Sequence, residues 1–194
     1  MRREPLPAGA SWQHQGARRG FEVAFFAHET DGGFRLSGST SANESSALWA
    51  VDYEVTVDAA WRTVAVRAMT RTEAGRRGVA IDRDADGRWR VDGLLRPDLD
   101  GCVDIDFESS AVTNTLPVHR IDFTEGVGVD VPAAFVRAED LRVERLEQRY
   151  TLIEAVEERA IFHYESSTFD FACDLEYDAA GLVLAYPGIA VRDS

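Results

Sequence analysis

Apolar and polar side chains alternate with a period of two along most of this chain, and that period separates strand from helix before any other property is considered. Phe169, Phe171, Cys173, Leu175 and Tyr177 stand against Asp170, Ala172, Asp174, Glu176 and Asp178. Trp49, Val51, Tyr53, Val55 and Val57 alternate in the same way with Ala50, Asp52, Glu54, Thr56 and Asp58, and Val103, Ile105 and Phe107 with Asp104, Asp106 and Glu108. Successive side chains of a strand point to opposite faces, so each run offers one face to a core and one to water. That is the pattern of half-buried antiparallel strands, and it places Asp104 and Asp106 on a solvated face.

Strands are predicted near 21–29, 34–41, 47–58, 61–70, 77–83, 88–92, 102–109, 116–123, 127–137, 141–153, 160–168, 169–178 and 182–186. Turn signals such as Thr30-Asp31-Gly32-Gly33 and Asp178-Ala179-Ala180-Gly181 separate them at hairpin spacing. The segment 137–149 alone has helical character, with Leu141 and Leu146 amid charges, and Val143, Tyr150 and Ile153 draw it toward β. The fold class is therefore all-β. A dozen such strands can close into a barrel, pair into a sandwich or curl into an open sheet around a cavity, and spacing does not choose among these. With no internal repeat, low-complexity tract or linker, 1–194 is read as a single β domain whose residues 1–20 are loosely ordered.

Charge narrows the function classes. Against 34 acidic residues stand 21 basic ones, a formal net charge of -13, which opposes binding to nucleic acid and to anionic lipid surfaces. Lys is absent, a composition that codon bias or adaptation to high salt each produces, and Schiff-base and P-loop lysine chemistry are excluded with it. Met1-Arg2-Arg3-Glu4-Pro5-Leu6-Pro7 is not followed by an apolar stretch of signal-peptide length, so a cytoplasmic location is expected. Val23–Ala27 falls far short of the ~20 residues that cross a bilayer, so no stable membrane insertion is expected. Cys102 and Cys173 are expected as free, buried thiols.

Few motifs carry chemistry. Asp82, Asp84, Asp86 and Gly87 open like a calcium loop, but Gly93 occupies the position of the closing Glu, and the segment reads as a hairpin turn. Asp98, Asp100, Asp104 and Asp106 crowd one segment; a carboxylate there facing His119 or Arg120 becomes a site candidate through its altered pKa. His14, His28, His119 and His163 show no metal-ligand spacing, and neither a nucleophile elbow nor a Gly-rich phosphate loop occurs, so no cofactor and no metal are expected. Thr113-Asn114-Thr115-Leu116-Pro117-Val118-His119-Arg120 sets small polar side chains before a proline, which predicts a strand break with a polar cluster at a cavity mouth. Trp61, Trp89, Tyr150 and Tyr186 are candidate stacking surfaces.

These residues also resemble a known family. Asp86-Gly87-Arg88-Trp89, Asp98 through Asp106 and the Thr113–Arg120 run are similar to the signature of the putative glycolipid-binding family of small bacterial proteins. Tyr53-Glu54-Val55 with Asp58-Ala59-Ala60-Trp61-Arg62, Gln148-Arg149-Tyr150-Thr151 and Asp178 through Gly188 fit it too, so the resemblance covers most of 45–190. His119 stands where that family usually has Arg, and Glu108–Val112 departs from its pattern. The resemblance implies a large, strongly curved antiparallel sheet forming an incomplete barrel, similar to the lipoprotein localisation factors, with an apolar cavity. It attaches no catalytic residues.

The expected function is non-catalytic binding of an amphiphilic or glycolipid-like ligand, its tail in the apolar interior and its headgroup near Asn114, Thr115, Arg120 and Tyr150. The wider set of ligand-binding candidates adds Trp61, Trp89, Asp100, Asp104, His119, Gln148 and Tyr186. Two alternatives stand beside it: a structural or protein-interaction domain without a small ligand, and a hydrolase using Asp100 or Asp104 with His119.

Overall fold

The computed structural model describes residues 3–16 and 18–193; Met1, Arg2, Ala17 and Ser194, which belong to the expected single domain and the expected loose amino-terminal stretch, lie outside the described residues. In chain order the strands are β1 (Gly9–His14), β2 (Arg18–His28), β3 (Phe34–Glu44), β4 (Ala47–Val57), β5 (Thr63–Thr72), β6 (Gly75–Arg83), β7 (Trp89–Val91), β8 (Leu94–Leu95) and β9 (Asp104–Phe107). The helix α1 (Thr115–Arg120) follows, then β10 (Gly128–Asp130), β11 (Ala133–Val136), β12 (Val143–Leu146), β13 (Arg149–Val156), β14 (Arg159–Ser166), β15 (Phe171–Asp178), β16 (Val183–Tyr186) and β17 (Ala190–Arg192). Fourteen strands form one antiparallel sheet in the order β10-β13-β14-β15-β16-β17-β1-β2-β3-β4-β5-β6-β7-β8, and β12-β11-β9 form a second. The large sheet is not closed into a barrel; β10 and β8 are its two edges.

Alternation holds along the large sheet. Trp49, Val51, Tyr53, Val55 and Val57 of β4 are all buried, while between them Glu54 is exposed and Ala50, Asp52 and Thr56 are half-buried. Gly38 of β3 leaves room for its neighbour: a Cβ there would lie 2.4 Å from the Tyr53 hydroxyl. The segment between Pro97 and Leu146 breaks the alternation. It contributes β10 to the large sheet, and also the small sheet, α1 and the 3-10 turn Val112–Asn114, of which β9, β11 and the turn are wholly buried. Inward threonines of the large sheet hold it: Thr40 Oγ1 donates to Ser109 O (2.8 Å), Thr70 Oγ1 donates to Ala138 O (2.7 Å), and Thr63 Oγ1 accepts from Ile105 N (3.0 Å).

Several expectations are corrected by this inserted segment. Asp104 and Asp106 are not solvated: β9 has neighbours on both faces, so side chains of both parities are buried, Asp104 to 1% exposure and Asp106 to 8%. The strand expected at 116–123 is replaced by α1, where Pro117 sits in the first turn and its missing N–H removes no helical bond. Thr113, Asn114 and Thr115 are buried rather than displayed at a mouth. The strands expected at 127–137 and 141–153 each divide in two, because β11 and β12 pair in the small sheet while β10 and β13 pair in the large one.

Residues 1–20 contain β1, which the loose reading missed. It pairs with β17 and β2, and the fully buried Trp12 donates from Nε1 to Val183 O at 2.8 Å. The Asp84 turn is a hairpin whose carboxylate is already used: Asp84 Oδ1 accepts from the backbone N–H groups of Asp86 and Arg88. No group of His, Cys, Asp and Glu side chains among the described residues is arranged to hold a metal ion. Cys102 is buried and Cys173 half-buried, both as free thiols. No helix among the described residues is long and apolar enough to cross a membrane.

Candidate functional site

The inserted segment does not fill the concave face completely. Between it and strands β14 to β16 lies a cavity of about 260 Å³. Tyr164, Phe171 and Tyr186 form one wall, and Phe107, Phe135 and Leu146 contribute to the rest. Phe169 and Ile189 stand beside them, and the polar groups are Asp106, Ser110 and Asn114 with Arg18, Glu108 and Arg137. A mainly aromatic and apolar lining with a set of polar groups beside it is a composition that small-molecule sites share.

Each polar group is positioned by a partner. Asp106 Oδ1 accepts the Thr113 hydroxyl at 2.6 Å. Burial, with Asp104 and Glu108 acting in the same direction, pushes this carboxyl up to about 7. Asn114 Oδ1 accepts from the Tyr150 hydroxyl (2.8 Å) and Asn114 O from the Tyr177 hydroxyl (3.2 Å). The amide nitrogen of Asn114 is the donor that remains for a guest. Tyr150 and Tyr177 are fully buried, which holds their phenols neutral.

Arg18 and Arg137 are locked among carboxylates and rings. Arg18 bonds Glu44 at 3.0 Å, donates to Glu108 O at 2.5 Å, and lies 5.2 Å from the Trp49 ring centre. Arg137 bonds Glu108 (3.1 Å) and Glu144 (2.5 Å), and its guanidinium is 5.1 Å from the ring centres of both Phe135 and Phe169. Behind Ser110 a further carboxyl anchors the segment: fully buried Glu22 accepts from Tyr53 Oη (2.7 Å), Ser110 Oγ and Ala111 N (2.8 Å). Its burial outweighs those three donors and raises it to about 7.

The residues selected from sequence separate into groups. Asn114 and Tyr186 line this cavity, and Tyr150 braces Asn114. Thr115 and Gln148 are buried nearby in the chain, with Thr115 Oγ1 and Gln148 Oε1 unpartnered among the described residues. Asp104 and Arg120 form a bidentate pair (3.0 and 2.6 Å), and Arg120 faces a different cavity of about 290 Å³, lined also by His119, Phe123 and Phe162. The expected headgroup set of Asn114, Thr115, Arg120 and Tyr150 is therefore not brought to one place.

The carboxylate–histidine couple is not assembled either, since both Asp104 oxygens accept from Arg120 while His119 Nε2 donates to Ala180 O at 2.8 Å. Burial and the nearby Arg3 push His119 down to about 4, and its neutral ring stacks on Trp61 at 3.9 Å. Trp89 is a core residue donating to Cys102 O, and Asp100 is exposed. Sequence reasoning missed Asp106, Tyr164 and Phe171 as a group. The inward parity of Tyr164 and Phe171 on paired strands was readable, whereas the burial of Asp106 was not.

A family profile matches residues 10–192 of the chain. The chain belongs to the family described as Putative glycolipid-binding. The match extends the 45–190 resemblance to β1 and β17, the first and last strands of the chain, which pair within the large sheet. A solved structure of a DUF1089 family protein from Pseudomonas aeruginosa is similar over 98% of this chain and 95% of that one, with 28% identity and a TM-score of 0.78. A beta-barrel-like protein of the domain of unknown function DUF1849 from Brucella abortus shares the fold, with 12% identity, a TM-score of 0.50 and the same coverages of 98% and 95%. No curated protein matches this chain.

Proposed function

We propose that this member of the Putative glycolipid-binding family binds an amphiphilic, glycolipid-like molecule without transforming it, in the cavity between the inserted segment and β14 to β16. The observation that carries this reading is the cavity's composition: rings of Tyr164, Phe171, Tyr186 and Phe135 around the buried Asp106 and Asn114. Aromatic faces accept the apolar surface of an acyl chain or a sugar ring, and the carboxyl and amide are suited to hydroxyl groups. At about 30 Å³ per water-sized group, 260 Å³ accommodates roughly nine such groups, which is one short alkyl segment or one ring and not a whole diacyl lipid. The remainder of a longer ligand extends past Phe169, which is exposed at the cavity's side.

Native mass spectrometry of the freshly purified chain, followed by organic extraction, tests the reading. A stoichiometric extra mass recovered as an acyl or glycosylated species is expected, and Phe171→Ala is expected to reduce its occupancy at least several-fold. A bare mass that stays bare after incubation with octyl glucoside and a lipid panel overturns the reading in favour of an interaction domain.

A further inference from the structure

The ionisable groups around the aromatic cavity are paired with opposite charges, with one exception. Arg18 is held by Glu44, and Arg137 by Glu108 and Glu144. Asp106 lines the same cavity with no cationic partner among the described residues, and there Thr113 alone donates a side-chain hydrogen bond to it. A carboxyl without a cation is thus the one unpaired ionisable group of this space.

The rings beside Asp106 have a matching arrangement. Tyr164, Phe171 and Tyr186 come from three adjacent strands, their centres 5.9, 6.2 and 6.3 Å apart and their planes tilted by 54 to 71°. The charge of Asp106 is felt by both phenols of this triangle. A cation seated over three such rings lies within the roughly 6 Å at which the negative ring faces attract it. Arg137 already shows the preference of the opposite wall, with its guanidinium 5.1 Å from Phe135 and from Phe169.

We propose that the space bounded by Asp106, Tyr164, Phe171 and Tyr186 is a recognition site for an organic ammonium group, primary or quaternary, carried by the bound ligand. This deepens the cavity reading above and rests on it. The net charge of -13 enriches cations around the molecule, and the paired Arg18 and Arg137 do not offset Asp106. An arriving cation stabilises the carboxylate form of Asp106, so binding near neutral pH moves its proton to the buffer.

The test is calorimetric titration of the full chain with choline and with its neutral carbon isostere, dimethylbutanol, alongside octyl glucoside. Choline, with about seven heavy atoms, fits the room available. The expected result is binding of choline at least tenfold tighter than its isostere, with up to about half a proton released per choline near pH 7. Asp106→Asn and, as a change on a half-buried side chain that spares folding, Phe171→Leu are each expected to cut that preference about tenfold. Equal binding of choline and isostere, or a preference unchanged in both variants, overturns the proposal. Binding of octyl glucoside without a preference for choline sinks the ammonium site and leaves the amphiphile reading standing, whereas no binding of any probe removes both.

Discussion

Glu22 gives a prediction whose sign and size follow from its surroundings. It is fully buried and accepts from three donors, Tyr53, Ser110 and Ala111, yet burial still lifts its carboxyl from 4.5 to about 7. The folded state therefore holds the Glu22 proton more tightly than the unfolded state does. Its stabilising contribution is fully present below pH 4.5 and is lost as pH rises through about 7. At about 1.36 kcal/mol per pH unit the whole effect is on the order of 3 kcal/mol, most of which disappears between about pH 5 and about pH 8.

Glu22→Gln removes the titration and keeps the shape. The amide oxygen can accept from Ala111 N, and the two hydroxyls can turn to accept from the amide nitrogen. Urea unfolding of both proteins at pH 5 and pH 8 measures the difference. Asp106, raised into the same range, titrates in both and cancels. The native chain is expected to lose about 2 to 3 kcal/mol relative to Glu22→Gln on going from pH 5 to pH 8. A stability difference that is the same at the two pH values refutes the argument.

Other consequences can be measured alongside. Arg120→Met strands the 1%-exposed Asp104 carboxylate and is expected to cost about 3 to 5 kcal/mol in urea unfolding at neutral pH, and less at pH 5, where the carboxyl takes up a proton more readily. Gly38→Ala places a Cβ 2.4 Å from the Tyr53 hydroxyl and detaches it from Glu22, so a loss of about 1 to 3 kcal/mol is expected from chemical denaturation. Millimolar calcium is expected to leave the thermal midpoint unchanged, because the Asp84 and Asp86 carboxylates are bonded to Arg88 and to the turn's own N–H groups; a calcium-dependent rise overturns that assignment.

The large sheet was legible because its strands are half-buried. On β4 every second side chain meets the core, and the period of two survives in the sequence. The inserted segment was not legible for the opposite reason. β9 and α1 are enclosed on all sides, so burial no longer selects alternate residues, and Asp-Ile-Asp-Phe resembles an amphipathic strand while being wholly interior. Chain composition said that polar groups at 113–120 were unusual, but only packing shows that Asn114 and Arg120 face different cavities. A clue did exist in Thr40, Thr63 and Thr70, hydroxyls at inward positions that make sense only if backbone lies inside the curve.

The pairing of β1 with β17 places the first and last strands side by side in the middle of the sheet, with Trp12 opposite Arg192 and His14 opposite Ala190. This seam joins two runs of local hairpins, and closing it brings together residues nearly a whole chain length apart, the slowest kind of contact to form. The aromatic cavity straddles the two runs, with Arg18 from β2 on one side and Tyr186 from β16 on the other. The cavity is therefore complete only once the seam has closed. During synthesis every hairpin can form in turn while the cavity remains unmade, so its walls come together only as the two ends of the chain join.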